Sequence, residues 1–166
     1  MLSDPLAKDA DMTDAPIWTL APFLGLVFLA SITGGVFRPG EWYARLDKPS
    51  WTPPDWLFPA AWGLLYVLMA IAAWRVWDVS GLGLALYVWL GQLVLNAGWS
   101  AVFFGLKSPG LALAELTALW AGVAATIWLF APIDAVAAWL LAPYIVWVSF
   151  AAVLNFEIVR RRVRTA

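Results

Sequence analysis

Five uninterrupted apolar runs constrain this chain more than anything else, at residues 17–37, 57–77, 82–104, 111–130 and 135–159. Each is about 20 residues or longer, and at about 1.5 Å rise per residue that length crosses a ~30 Å hydrocarbon layer as a helix. Lipid offers the backbone no hydrogen bonds, so a spanning segment must be a helix or part of a closed barrel. The runs are apolar nearly all round, and none shows the period-two alternation of a membrane strand. The expected fold class is an all-α integral membrane protein, a five transmembrane helix bundle. Only 13% of the residues are charged, against ~25% in soluble domains.

Three of the links are short and contain Gly, Pro or a capping acidic residue, at 78–81, 105–110 and 131–134. Short links make sequential helices antiparallel neighbours. Residues 1–16 carry Asp4, Asp9, Asp11 and Asp14 and no basic segment ahead of an apolar one. They are expected to form a disordered acidic tail rather than an ordinary signal peptide. The membrane domain is then 17–160, followed by a basic tail, 161–166. Lys8 and Arg75 fall on one side of the spans. Arg38, Arg45, Lys48, Lys107, Arg160, Arg161, Arg162 and Arg164 fall on the other. The excess of positive charge places the C-terminus and the first loop in the cytoplasm and the N-terminus outside. Whether an inner or an outer membrane holds the chain stays open.

The chain has no Cys and no His. That removes disulfides, Cys/His zinc sites, thiol catalysis, His-based triads and the two commonest haem ligands. No metal site is expected. A net charge of −1 argues against a nucleic-acid partner.

The one long link, 38–56, is aromatic and stiff. It carries Trp42, Tyr43, Trp51 and Trp56, with Pro49, Pro53 and Pro54 among them. Each proline fixes a φ angle and biases the residue before it to an extended form. A loop this long in a compact protein is usually functional or disordered, and its aromatic content opposes disorder. It is expected to fold back on the bundle and cover a cavity.

Three spans offer candidate walls. In the third, Trp89, Gln92, Asn96, Trp99 and Phe103 recur at steps of three and four and share one face. Its two amides either bond neighbouring helices or touch a ligand. In the fifth, Pro143, Trp147, Phe150 and Leu154 share a face, with Tyr144, Ala151 and Asn155 beside it, and Pro143 predicts a kink. In the second, Phe58, Trp62 and Tyr66 follow at steps of four. Small-residue patterns at Ala97, Ala101 and Gly105, and at Ala114, Ala118 and Gly122, suit close helix approach within the chain or a homodimer, the third span being favoured for the latter. Glu115 is placed near the start of the fourth span, where a carboxylate suits the helix dipole. Glu157 is placed beside Arg160 and Arg161, and Arg75 near Asp78.

Those residues resemble the translocator protein family, also called tryptophan-rich sensory proteins or peripheral-type benzodiazepine receptors, in its bacterial form. The carrying segments are Trp42-Tyr43-x-x-Leu46-x-Lys48-Pro49-x-Trp51-x-Pro53-Pro54 and Trp62 with Tyr66. They continue with Leu95-Asn96-x-x-Trp99-Ser100-x-x-Phe103-Phe104-Gly105 and Pro143-Tyr144-x-x-Trp147 through Leu154-Asn155. The resemblance implies a five-helix bundle, usually a homodimer, with a cavity that binds porphyrins and isoquinoline or benzodiazepine ligands. It implies Tyr43, Pro53, Trp62, Tyr66, Asn96, Ser100, Trp147, Phe150 and Ala151 as pocket residues. It also implies, as in some bacterial relatives, light-driven porphyrin breakdown involving Trp62 and Trp147. A sterol motif of animal members is matched by Val153 and Arg160 but has Phe156 where that motif has Tyr.

The leading expectation is thus a membrane binding protein for tetrapyrroles, acting as sensor, carrier or scavenger and needing no cofactor. Porphyrin would be held by indole stacking, worth ~0.5–1.5 kcal/mol per aromatic pair beyond burial. Its acid groups would be attracted by Arg38, Arg45 or Lys48. The rivals are a light-dependent porphyrin-degrading enzyme and a small-molecule transporter. For the latter the sequence offers no inverted repeat or coupling-ion site.

Overall fold

The computed structural model describes residues 15–165, so the acidic tail expected at 1–16 lies almost wholly outside the described residues. A single 3-10 turn, Ile17–Leu20, leads into α1, Ala21–Val36. A short helix, α2 (Glu41–Ala44), interrupts the first loop. Then come α3 (Leu57–Ser80), α4 (Leu84–Ser100) and α5 (Pro109–Phe130). The last span is α6 (Ala135–Leu140) followed by α7 (Ala142–Thr165). Five helical stretches are long and apolar enough to cross a membrane, and no described residue is in a strand.

Local sequence explains the ends. Pro22 and Pro109 sit in the first turns of α1 and α5, where a missing N–H costs nothing. Gly81 ends α3 at φ 69°, a left-handed conformation that suits glycine, and its N–H donates to Trp77 O at 2.7 Å. Asp134 caps α6, with Oδ1 accepting from Ala137 N at 3.1 Å. The break at Leu141 stands two residues before Pro143, as the missing N–H of that proline predicts. The basic residues 160–162 extend α7 rather than leaving it.

The packing departs from simple antiparallel neighbours. α5 lies between α4 and α7, and α1 packs on both α3 and α4. α3 and α4, joined by the tight turn at Gly81–Gly83, meet only weakly, because a cavity opens between them. Small residues set the close approaches. A Cβ at Gly122 of α5 would lie 3.0 Å from Gln92 Cβ of α4. One at Gly98 would meet the Glu115 carboxylate. Glu115 Oε2 is buried and bonds to no described group. Gly105, expected on a dimer face, instead receives Phe37 of its own chain, whose ring a Cβ there would approach to 2.9 Å. The indoles of Trp18, Trp128 and Trp139 lie exposed at one end of the bundle and Trp56 at the other, where interfacial Trp is favoured.

Arg75 does not pair with Asp78 as expected. Its Nε lies 2.7 Å from Asp134 Oδ2, a close ion pair rather than an aligned hydrogen bond, and the Asp134 side chain is 1% exposed. The reason is reach: α3 packs directly on α6, so the buried cap residue is nearer than a residue on the same helix surface. Beside it, Trp74 Nε1 donates to Thr19 Oγ1 at 2.8 Å and ties α3 to the start of α1. Asp134→Ala removes the cap and strands Arg75. The expected loss is about 3–5 kcal/mol, typical of breaking a buried pair. Thermal unfolding in detergent should show it, with Asp134→Asn retaining the cap and losing less.

A candidate ligand-binding cavity

A cavity of about 1010 Å³ lies under the first loop, walled by α1, α3, α4 and α7. Its size is at the upper end for small-molecule sites. Of the nine pocket residues implied by the family resemblance, Tyr43, Trp62, Tyr66, Asn96, Ser100 and Ala151 line it. Trp147 does not. It borders a void of about 20 Å³ behind the main wall, which it shares with Phe58, Trp62, Asn96, Trp99 and Ala151. Phe150 and Pro53 line neither. Phe150 packs between Trp51, edge-to-face at 5.9 Å, and Trp147, tilted at 5.6 Å, while Pro53 sits half-buried in the loop. Val153, Phe156 and Arg160 are exposed on the outer side of α7, away from the cavity.

The base of the cavity is a chain of hydrogen bonds. Tyr66 Oη donates to Asn96 Oδ1 at 2.8 Å, Asn96 Nδ2 donates to Tyr144 Oη at 3.0 Å, and Tyr144 Oη donates to Gln92 Oε1 at 2.9 Å. Both amides of the third span are therefore bonded to tyrosines of α3 and α7. Gln92 is wholly a packing residue, whereas Asn96 also faces the cavity. Trp62 stands at the same level, 5.6 Å from Tyr66 and 6.1 Å from Tyr144 between ring centres. On α7, Asn155 bridges Pro109 O and Leu113 N of α5, each at 3.1 Å, with its amide oriented so that both groups are satisfied.

The roof is aromatic. α4 does not end as an α-helix but widens into a π turn over Ala101–Gly105. In a regular helix adjacent residues point about 100° apart. The wider turn helps bring the neighbours Phe103 and Phe104 to one cluster, 4.9 Å apart. Trp99 stacks on Phe103 at 5.0 Å, and Tyr43 lies 5.5 Å from Phe104. Lys48 holds Tyr43 in place, donating to its carbonyl at 3.0 Å and lying 4.1 Å over its ring. Burial, and after it the Asp55 carboxylate, push the Tyr43 hydroxyl above its usual pKa, so it stays a neutral group at neutral pH.

Sequence reasoning missed α1. Leu24, Val27, Ser31 and Gly34 line the cavity. Their steps of three and four mark one helix face, a signal hidden because α1 is apolar all round. The indole N–H groups of Trp99 and Trp147 are buried and bond to no described group, a strain that native proteins tolerate rarely.

The profile of the TspO/MBR family matches residues 19–161. The chain belongs to that family. It is 44% identical to a tryptophan-rich sensory protein of Cereibacter sphaeroides, covering 86% of this chain and 91% of that one. It is 41% identical to the tryptophan-rich protein TspO of Chlorobaculum tepidum, over 87% and 96% of the two chains. The human translocator protein is 39% identical, over 86% and 89%. With its five apolar helices, this TspO/MBR member is a multi-pass integral membrane protein.

Tyr144→Phe keeps the ring and deletes the hydroxyl shared by Asn96 and Gln92. Each amide then loses a buried partner, and the expected destabilisation is about 1–3 kcal/mol. Chemical or thermal unfolding in detergent measures it.

Proposed function

We infer that this protein binds porphyrins or related tetrapyrroles within the bilayer, as a sensor, carrier or scavenger. The observation that carries the reading is the roofed aromatic cavity of about 1010 Å³, with Trp62, Trp99, Phe103 and Tyr43 in its walls and Asn96 and Ser100 as polar points. A flat apolar ring system would be held by stacking and burial, with few directional bonds. The sensory and translocator names of the relatives agree with a ligand-binding role. Isoquinoline, benzodiazepine or sterol-like molecules suit the same space on the same grounds. A sterol held through Val153, Phe156 and Arg160 would instead sit outside the bundle, among lipid.

The test is titration with protoporphyrin, followed by the porphyrin's own absorbance. Trp62→Ala should weaken binding by about tenfold, the equivalent of one lost aromatic contact and its burial. Trp147→Ala should weaken it less, about threefold, because it backs the wall rather than facing the ligand. Unchanged affinity in both variants sinks the pocket.

A second reading, light-dependent porphyrin degradation, is favoured by one observation. Trp62, which lines the cavity, and Trp147 border the same void of about 20 Å³. An excited porphyrin at Trp62 would take one electron from that indole, leaving a porphyrin radical anion and an indole radical cation, with dissolved dioxygen as the oxidant that ring breakdown requires. Under illumination, bleaching should be faster with protein than without and should slow in Trp62→Phe. Identical bleaching with and without protein ends this reading.

For the assembly we retain a cytoplasmic loop and C-terminus, and a homodimer through the Ala97 and Ala101 side of α4. Gly105, the third member of that small-residue pattern, packs against Phe37 of its own chain.

A further inference from the structure

Among the described residues only two charged side chains line the cavity, Arg38 and Asp55, both from the loop end of the bundle. The other two cations of the loop are engaged elsewhere. Arg45 Nη2 lies 2.9 Å from Glu41 Oε2, and Lys48 is bonded to Tyr43, and neither lines the cavity. Arg38 donates Nε to Gly35 O at 2.7 Å, which anchors the base of its guanidinium. Among the described residues no carboxylate pairs with its terminal nitrogens, and none of the described cations pairs with Asp55. A cation and an anion thus share one cavity mouth without bonding each other. Both are exposed, so a ligand arriving from the aqueous side meets them first.

We propose that Arg38 and Asp55 sort acidic tetrapyrroles by charge at the mouth of the cavity. Arg38 takes one ligand carboxylate through its free terminal nitrogens, a planar fork suited to two parallel bonds. Asp55 repels a second acid group, so the ligand enters with one carboxylate seated and its remaining charge held away from that wall. This rests on the tetrapyrrole reading of the cavity and adds which end of the ligand faces the roof. Tyr43, a neutral hydroxyl next to Asp55, leaves that repulsion uncompensated.

The test uses the full chain in nanodiscs, with protoporphyrin (two carboxylates) and its dimethyl ester as probes. Arg38→Gln should weaken the diacid by about tenfold and leave the ester within about twofold. Arg38→Lys, which keeps charge but loses the fork, should fall between wild type and Arg38→Gln. Asp55→Asn should tighten the diacid by about threefold and leave the ester unchanged. The diacid effects should shrink at high salt. Equal losses for both probes in Arg38→Gln, or no tightening in Asp55→Asn, overturn the charge sorting. In that case ester binding that still depends on Trp62 keeps the cavity reading intact. If the wild type binds neither probe, the cavity reading and this inference fall together.

Discussion

A polar side chain inside a bilayer must find its partner within the protein, and one such set organises this bundle. Tyr66, Asn96, Tyr144 and Gln92 satisfy one another in a single chain that crosses from α3 through α4 to α7. Helices in lipid gain little from hydrophobic attraction, so hydrogen bonds and close small-residue contacts decide which faces meet. The Tyr–amide chain fixes the rotation of three helices at one level. It thereby turns Trp62 and Asn96 toward the same space. The close Gly122–Gln92 contact does the same for α5 against α4. The cavity is what remains above this level, where α3 and α4 separate.

The roof follows from a different constraint. A loop of 19 residues, 38–56, would ordinarily be mobile, but its prolines limit the conformations it can lose on ordering. Pro49 is buried, Tyr43 is buried against Phe103 and Phe104, and Trp51 meets Phe150 edge-to-face. At its far edge Arg161 Nη1 lies 3.2 Å from Asp47 and its Nε donates to Glu157 at 3.0 Å. That ion pair is partly exposed, so its strength is modest and salt-sensitive. The loop is therefore held chiefly by rings and only trimmed by charge.

Much of this was legible from residues alone. Run length and all-round apolarity specified five spans, and the three-four spacing of Trp89, Gln92, Asn96, Trp99 and Phe103 specified an inward face. Six of the nine proposed pocket residues stand on the cavity wall. What was not legible depends on register and reach between helices. Spacing could put Trp147 on the right helix but not say that Trp62 and Ala151 stand in front of it. The π turn, which helps gather Phe103 and Phe104 into one cluster, leaves no pattern of its own in an apolar run. Arg75 had a plausible acid three residues away, yet the burial of Asp134 on a neighbouring helix decided the pairing.

The two ends of the bundle divide the work. At the N-terminal end of α1, Phe23 packs on Trp77 and Trp89 at 6.0 and 6.2 Å, Trp74 bonds Thr19, and Arg75 meets Asp134. Ala70, Ala72 and Ala73 of α3 are fully buried nearby, so helices approach closely and leave no space. Further along, α1 presents Ser31, Gly34 and Gly35 instead of bulk, and a Cβ at Gly35 would touch nothing within 4 Å. The same helix that seals one end thus hollows the other. Filling the hollow end with larger side chains would gain burial and packing. The sequence instead leaves it lined by Ser31, Gly34, Gly35, Ser100 and the indoles of Trp62 and Trp99, among other residues. Such an arrangement forgoes packing and stability at that end of the bundle.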